Sequence, residues 1–159
     1  MAELLVEKKT AGIVDVEFGE NVTVVQPVNL YGCKIGDNCF VGPFVEIQQG
    51  VVVGKGSKVQ SHSFVCELVT IGENCMIAHG VMFINDTFQI GGPAKGNREL
   101  WRTTTIGNRV SIGSNATILP VRICDDVVIG AGSVVTYNIT VPGIYAGNPA
   151  RLIRKVVKS

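Results

Sequence analysis

Five side chains in the middle of the sequence are suited to proton transfer or to holding a polar substrate: His62, Glu67, His79, Asn85 and Asp86. Histidine exchanges a proton near neutral pH, while carboxylates and amides orient a substrate through hydrogen bonds. The five residues therefore predict a catalytic or substrate-binding site. The alternative for each is an ordinary solvated side chain, and for His79 also a hydrogen-bonded position in a subunit interface.

The elements that must position these side chains are predicted by a repeat of six residues. A large apolar residue recurs at this period, with two five-residue steps, and a small or β-branched residue often stands four positions later. The large residues are Phe18, Val24, Leu30, Ile35, Val41, Ile47, Val53, Val59, Val65, Ile71, Ile77, Phe83, Ile106, Ile112, Ile118, Ile123, Ile129, Val135 and Val141. Neither an α-helix nor an alternating strand has this period. A triangular, all-β parallel solenoid does, because three six-residue units close one coil of about 18 residues, and the coils stack at about 4.8 Å.

This coil length places the candidate side chains above one another. Glu67 and Asn85 are separated by one full coil, so we expect them to stack directly, with Asp86 beside them. The aliphatic residues that precede His62 and His79 are also one coil apart, which places both histidines on one face of consecutive coils. We expect that face to meet the face of Glu67, Asn85 and Asp86 at a shared corner.

One domain is expected over residues 1–159, with a single interruption of the repeat at about residues 85–105. This loop carries Phe88 and the only tryptophan, Trp101. Large apolar groups rarely stay on a loop unless they pack against something, so we expect the loop to reach a neighbouring subunit. A short helix or tail, at about residues 147–159, is predicted to cover the open end of the solenoid.

Composition restricts the class of protein. The net charge of +1 argues against a nucleic-acid or membrane-surface partner, and no apolar run is long enough to span a bilayer. The N-terminal residues MAELLVEKKTAG lack an apolar signal core, which predicts a cytoplasmic protein. The five cysteines form no CxxC pair, so we expect neither a zinc site nor disulfides, and two histidines cannot supply a three-histidine metal site. No metal is expected.

Three stretches resemble a known superfamily. The run IGAGSVVTYNITVPGIYAGNPARLIRK is similar to the CoA-binding end of the hexapeptide-repeat acetyltransferases, and the similarity to that superfamily extends over about residues 18–157 of the chain. The runs NLYGCKIGDNCFVGPFVEIQ and HGVMFINDTF resemble more narrowly the sugar-nucleotide 3-N-acetyltransferases. The resemblance implies a left-handed parallel β-helix, acetyl-CoA as co-substrate, a homotrimer, and an acceptor that is a dTDP- or UDP-linked 3-amino-3-deoxy sugar for surface polysaccharides.

The resemblance also implies roles for particular positions. Those matched to the pantetheine arm are Ser114, Ala131 and Thr136, and those matched to the CoA phosphates are Arg151 and Arg154. Glu67, Asn85 and Asp86 match residues that hold the amino sugar, and we add His62 as a substrate-binding candidate. Asn85 and Asp86 would orient the amine, while either His79 or the departing CoA thiolate would accept its proton.

Two other functions remain as alternatives. An O-acetyltransferase would act on a hydroxyl of a sugar, of serine or of a xenobiotic. Many such relatives carry a catalytic histidine in the loop after this point, whereas the segment here reads Asn-Asp-Thr-Phe, which argues against that alternative. A non-catalytic structural β-helix would bind no CoA and would need no loop bearing a tryptophan.

Overall fold

Three β-sheets form the sides of a triangular prism in the computed structural model, which describes residues 6–156. The first sheet contains β1 (Ile13–Val14), β4 (Asn29–Tyr31), β7 (Glu46–Ile47), β10 (Phe64–Val65), β13 (Met82–Phe83), β16 (Thr117–Ile118) and β19 (Val134–Val135). The second contains β2 (Glu17–Phe18), β5 (Lys34–Ile35), β8 (Val52–Val53), β11 (Val69–Ile71), β14 (Thr104–Ile106) and β17 (Arg122–Ile123). The third contains β3 (Thr23–Val24), β6 (Phe40–Val41), β9 (Lys58–Val59), β12 (Met76–Ile77), β15 (Ser111–Ile112), β18 (Val127–Ile129), β20 (Gly143–Gly147) and β21 (Ala150–Arg154).

The chain visits the three sheets in turn, which makes it a parallel β-helix, as the repeat predicted. This fold is consistent with the left-handed form that the resemblance implied. Each strand pairs in parallel with the strand one coil away, so that Ile77 pairs with Val59 in the central coils. The five-residue steps shorten a coil by one position, as in the pairing of Ile129 with Ile112. Side chains at equivalent positions of successive coils therefore form columns along the prism.

The interior contains the residues that the repeat predicted. The large apolar residues from Leu30 to Val135 are buried, and so are the small residues four positions later, including Cys39 and Cys75. Phe18 and Val141 were also predicted to point inward, but they are 42% and 44% exposed. Phe18 lies on β2, which is the terminal strand of the second sheet among the described residues, so its side chain is covered from one direction only. At the other end Ile139 pairs with Ile123 and is buried instead of Val141.

Of the two forms predicted for the C-terminal segment, a helix or a tail, the helix is wrong. β20 pairs in parallel with β18, and β21 then folds back antiparallel to β20, so the two strands form a β-hairpin on the third sheet. The physical reason is that β20 adds one more strand to the third sheet, and its free edge offers N–H and C=O groups that β21 satisfies. The last three residues of the predicted tail, 157–159, lie outside the described residues.

The loop occurs where the repeat is interrupted, between β13 and β14. Its two arms are held together near the prism by an antiparallel bridge between Asp86 and Trp101 and by the Arg102 N–H, which donates to the Asn85 carbonyl over 2.9 Å. The 3₁₀ turn Arg98–Leu100 is the one helical element among residues 6–156. None of the described helices has the length and hydropathy that crossing a membrane requires.

Candidate functional site

A cavity of about 540 Å³ lies between the outer face of the first sheet and the base of the loop. Its walls include Gln48, Cys66, Glu67, Asn85, Asp86 and Trp101. The first three residues come from two successive coils and the last three from the two arms of the loop. The prism thus supplies a floor and the loop supplies a wall, and the result is a concave, largely apolar space with a few polar groups, as is typical of small-molecule sites. We call this space the loop cavity.

Glu67 and Asn85 stack as the sequence predicted. The Asn85 side-chain amide donates to the Glu67 carbonyl over 3.2 Å, and the Glu67 N–H donates to the side-chain oxygen of Gln48 over 3.2 Å. The Glu67 carboxylate forms an ion pair with Arg98 of the loop. Glu67 therefore connects three structural elements: the coil below, the coil above and the loop.

Asp86 lies beside this pair and holds the loop in place. One oxygen of its carboxylate accepts the Phe88 N–H over 2.9 Å, and the other accepts the Ala94 N–H over 2.7 Å. Two backbone segments of the loop are thereby tied to one side chain at the edge of the prism. Asp86 also lines the loop cavity.

His79 lies at a different corner of the prism from Asn85 and Asp86, although the faces were predicted to meet at a shared corner. His79 precedes β13 and Asn85 follows it, so the two lie at opposite edges of the first sheet. The corner between the third and first sheets, which carries Ser61, His62 and His79, is here called the histidine corner. Ser61 Oγ and His79 Nδ1 are 2.8 Å apart in a hydrogen bond, which orients the imidazole and leaves Nε2 for another partner.

His62 adopts a left-handed backbone conformation, with φ of 63°, at the same corner. Its ring stacks on Phe44 of the coil below, with centroids 4.9 Å apart and planes inclined by 16°. The structure therefore places His62 with Phe44 rather than with Glu67 and Asn85.

The residues matched to CoA binding are divided between two edges. By the register of β12, β15 and β18, Ser114 and Ala131 occupy the same position as His79 in the next two coils and so continue its column. Thr136 follows β19, at the opposite edge of the first sheet. Arg151 and Arg154 lie on β21 and are exposed. The Arg151 guanidinium lies 5.0 Å from the centre of the Tyr137 ring.

Sequence reasoning missed three residues that support the candidate site: Ser61, Gln48 and Arg98. Ser61 precedes His79 by 18 residues, which is one coil, and Gln48 precedes Glu67 by 19 residues. The coil length could therefore have identified both Ser61 and Gln48 as neighbours of the predicted residues. Arg98 lies in the loop, where no period applies, and no sequence signal indicated that it pairs with Glu67. Among residues 6–156, no group of three or more histidine, cysteine, aspartate or glutamate side chains is placed to hold a metal.

Burial makes the cysteine thiols poor nucleophiles. Burial raises the pKa of Cys66, which lines the loop cavity, to about 12, and that of Cys33 to about 11. All five cysteines are free thiols, and Cys124 is the only one that is not fully buried. A thiol acts as a nucleophile through its thiolate, so Cys66 is a wall of the cavity rather than a reacting group.

We expect iodoacetamide at pH 8 to modify Cys124 first and the other four cysteines far more slowly. A thiol with a pKa of about 12 is ionised to about one part in ten thousand at pH 8, and this fraction rises about tenfold per pH unit up to the pKa. Mass spectrometry of peptides from a labelling time course measures the order. A Cys124→Ser variant should lose the fast phase; rapid labelling of Cys66 in the native protein would contradict the prediction.

Two segments of the chain match families of repeat proteins. Residues 32–67 match the family described as bacterial transferase hexapeptide (six repeats), and residues 103–137 match the hexapeptide repeat of succinyl-transferase. Galactoside O-acetyltransferase of Escherichia coli K12 is 35% identical over 128 residues, which are 77% of this chain and 63% of that protein. The chain therefore spans less than two thirds of this relative's length.

Solved structures with the same fold include a galactoside acetyltransferase in complex with coenzyme A. It is 34% identical, with a TM-score of 0.64 over 76% of this chain and 64% of that chain. A hexapeptide transferase family protein from Anaplasma phagocytophilum has a TM-score of 0.72 over 90% of this chain and 80% of that chain. At 17% identity, the second similarity shows the fold alone.

Proposed function

Because the chain belongs to the hexapeptide-repeat acetyltransferase superfamily, we propose that it transfers the acetyl group of acetyl-CoA to the amino group of a nucleotide-linked 3-amino-3-deoxy sugar. Such sugars are building blocks of surface polysaccharides. The observation that carries the choice of acceptor is the loop cavity. There Glu67, Asn85 and Asp86 present carboxylate and amide groups beside the loop, and the loop itself contains no histidine.

An amine acceptor suits this set of residues. A neutral primary amine attacks a thioester without a strong base to activate it, so the site must supply orientation and an acceptor for the proton released afterwards. In the proposed reaction the amine nitrogen bonds to the thioester carbon, the C–S bond breaks, and CoA leaves as a thiolate. Asn85 and Asp86 hold the amine, and Glu67 helps to position the sugar.

Two groups are candidates to receive the amine proton. One is His79, whose orientation by Ser61 leaves Nε2 available to act. The other is the departing CoA thiolate. A His79→Gln variant separates them, because loss of a general base typically lowers turnover by about 100- to 10,000-fold, whereas a thiolate acceptor would leave turnover near that of the unsubstituted protein. Thiol release at saturating acetyl-CoA measures the difference.

The proposal places CoA along the histidine corner. Ser114 and Ala131 continue the column of His79, and Arg151 and Arg154 lie on the hairpin above it, where guanidinium groups suit phosphate oxygens. The relative solved with coenzyme A supports acetyl-CoA as the co-substrate. Thr136 stays a candidate contact from the opposite edge of the sheet.

A homotrimer completes the proposed site. Within one chain, the histidine corner and the loop cavity lie at opposite edges of the first sheet. Packing three prisms around a threefold axis would bring the histidine corner of one subunit to the loop of the next. Phe88 and Ile90 of the loop support this arrangement, since both are more than half exposed in the single chain and would be buried against a neighbour.

A specific observation favours a second candidate, an O-acetyltransferase. The 35% identical relative is a galactoside O-acetyltransferase, so a hydroxyl acceptor is the main competitor. The two candidates differ in the base that they require, because a hydroxyl needs help in losing its proton before attack. The loop of this chain offers no histidine for that step, so an O-acetyltransferase would depend on His79 of a neighbouring subunit.

We expect free-thiol release from acetyl-CoA with one dTDP- or UDP-linked 3-amino sugar, and none with serine, chloramphenicol or galactosides. Thiol release by purified protein against this panel measures the acceptor directly. Turnover with hydroxyl acceptors alone would show that the protein is an O-acetyltransferase and would contradict the proposed amine acceptor. Binding of acetyl-CoA without turnover would support acetyl-CoA as the co-substrate but refute the proposed amino-sugar acceptor. Absence of acetyl-CoA binding would indicate a structural β-helix.

A further inference from the structure

A second cavity, of about 250 Å³, opens at the lower end of the histidine corner and is lined by Pro27, Asn29, Phe44 and Glu46 among others. We propose that it binds the base of the nucleotide-linked acceptor, with a uracil- or thymine-type ring stacked on Phe44 and its ring N–H donated to the Glu46 carboxylate. This inference rests on the proposed function, because it assigns a subsite for that acceptor. We call the space the Phe44 cavity.

Backbone strain at Phe44 is the first observation. Its φ is 61°, in the left-handed region, which bulky residues rarely adopt. The same column continues with His62, Gly80, Asn115 and Gly132, all at similar φ values. Gly and Asn are the residues that accept this conformation most readily. The column therefore carries large rings at Phe44 and His62, although glycine or asparagine would adopt the same left-handed backbone conformation with less strain.

The position of the ring makes it a stacking platform. His62 covers Phe44 from the coil above, with centroids 4.9 Å apart. Phe44 nevertheless remains 57% exposed and forms part of the wall of the Phe44 cavity. A pair of stacked rings that is neither buried in the core nor covered by the rest of the chain is suited to hold a third planar ring.

Glu46 and Asn29 supply a polar edge to the same cavity. The Glu46 carboxylate accepts the Asn29 amide over 3.2 Å and the Gln48 amide over 3.0 Å. The Tyr31 side chain also hydrogen-bonds this carboxylate. A carboxylate accepts about four hydrogen bonds, so Glu46 has capacity for one further donor. The ring N–H of uracil or thymine is such a donor, whereas cytosine and adenine present an unprotonated ring nitrogen that the carboxylate would repel.

The hydrogen bonds of Gln48 connect this cavity to the loop cavity. Gln48 lines the loop cavity, donates to Glu46 and accepts the Glu67 N–H. A strand advances about 3.3 Å per residue, so residues 44 and 48 are separated by at most about 13 Å. A ribose and a diphosphate can bridge a gap of this order. One acceptor molecule can thus place its base at Phe44 and its amino sugar at Glu67 and Asn85.

Calorimetric titration of the full chain with UDP and dTDP tests the subsite directly. We expect both to bind more tightly than ADP and CDP, and we expect Phe44→Asn to weaken binding by about 5- to 100-fold through loss of the stack. The same substitution should leave the melting temperature unchanged or higher, because asparagine accepts the left-handed backbone. Phe44→Tyr should restore the affinity, and Glu46→Gln should reduce the preference for UDP over CDP.

Arg109→Asn is the matched control, since Arg109 has a φ of 54° at a different corner, outside both cavities. Its affinity for UDP should equal that of the unsubstituted protein. Unchanged UDP binding by Phe44→Asn would overturn the subsite. If that variant kept its affinity for UDP but an oligomer dissociated, Phe44 would instead be an interface residue. Turnover with the 3-amino sugar panel is measured separately, so loss of the subsite and failure of the proposed acetyl transfer can be told apart.

Discussion

On replacement of Asp86 by alanine, we expect turnover to fall about 100-fold. The carboxylate accepts two loop N–H groups, from Phe88 and Ala94, and alanine would leave both without their acceptor. The loop wall of the cavity, including Trp101, is then no longer held at the edge of the prism. Misplacement of a reacting group by about 1 Å costs on the order of 100-fold in rate. Thiol release at saturating acetyl-CoA measures the effect.

Asp86→Asn separates the two roles of the carboxylate. Asparagine keeps one acceptor oxygen, so it can retain one of the two loop hydrogen bonds, and its loss of turnover should be smaller than that of alanine. Circular dichroism and the melting temperature should show that the prism is intact in both variants, since its core lies outside the loop. Near-normal turnover of Asp86→Ala would refute the role assigned to Asp86.

The periodic part of the molecule could be predicted in detail, because in a solenoid one number, the coil length, determines which residues are neighbours. Glu67 and Asn85 show this: their separation by one coil predicted their contact without any other information. The same rule would have found Ser61 beneath His79. Columns of side chains result from the backbone register, and the register is set by the large apolar residues.

The rule fails wherever the repeat stops. The ion pair between Glu67 and Arg98 depends on the path of a loop, which has no period to fix it. The C-terminal hairpin differs from the predicted helix or tail because β21 pairs with the free edge of β20, and no repeat indicates that pairing. Each of these errors concerns how elements meet, which local sequence does not encode.

The difference in burial between two equivalent positions of the repeat produces the largest stability effect that we expect. Phe83 and Phe18 occupy equivalent positions in the repeat, but Phe83 is 1% exposed and Phe18 is 42% exposed. Phe83→Ala should therefore lower the free energy of unfolding by about 3–5 kcal/mol, since it leaves a cavity between stacked coils, whereas Phe18→Ala should cost about 1 kcal/mol. Phe83→Leu, which keeps most of the volume, should cost less than Phe83→Ala. Denaturant unfolding at one fixed protein concentration measures all three, and equal losses for the two alanine variants would contradict the burial that separates these positions.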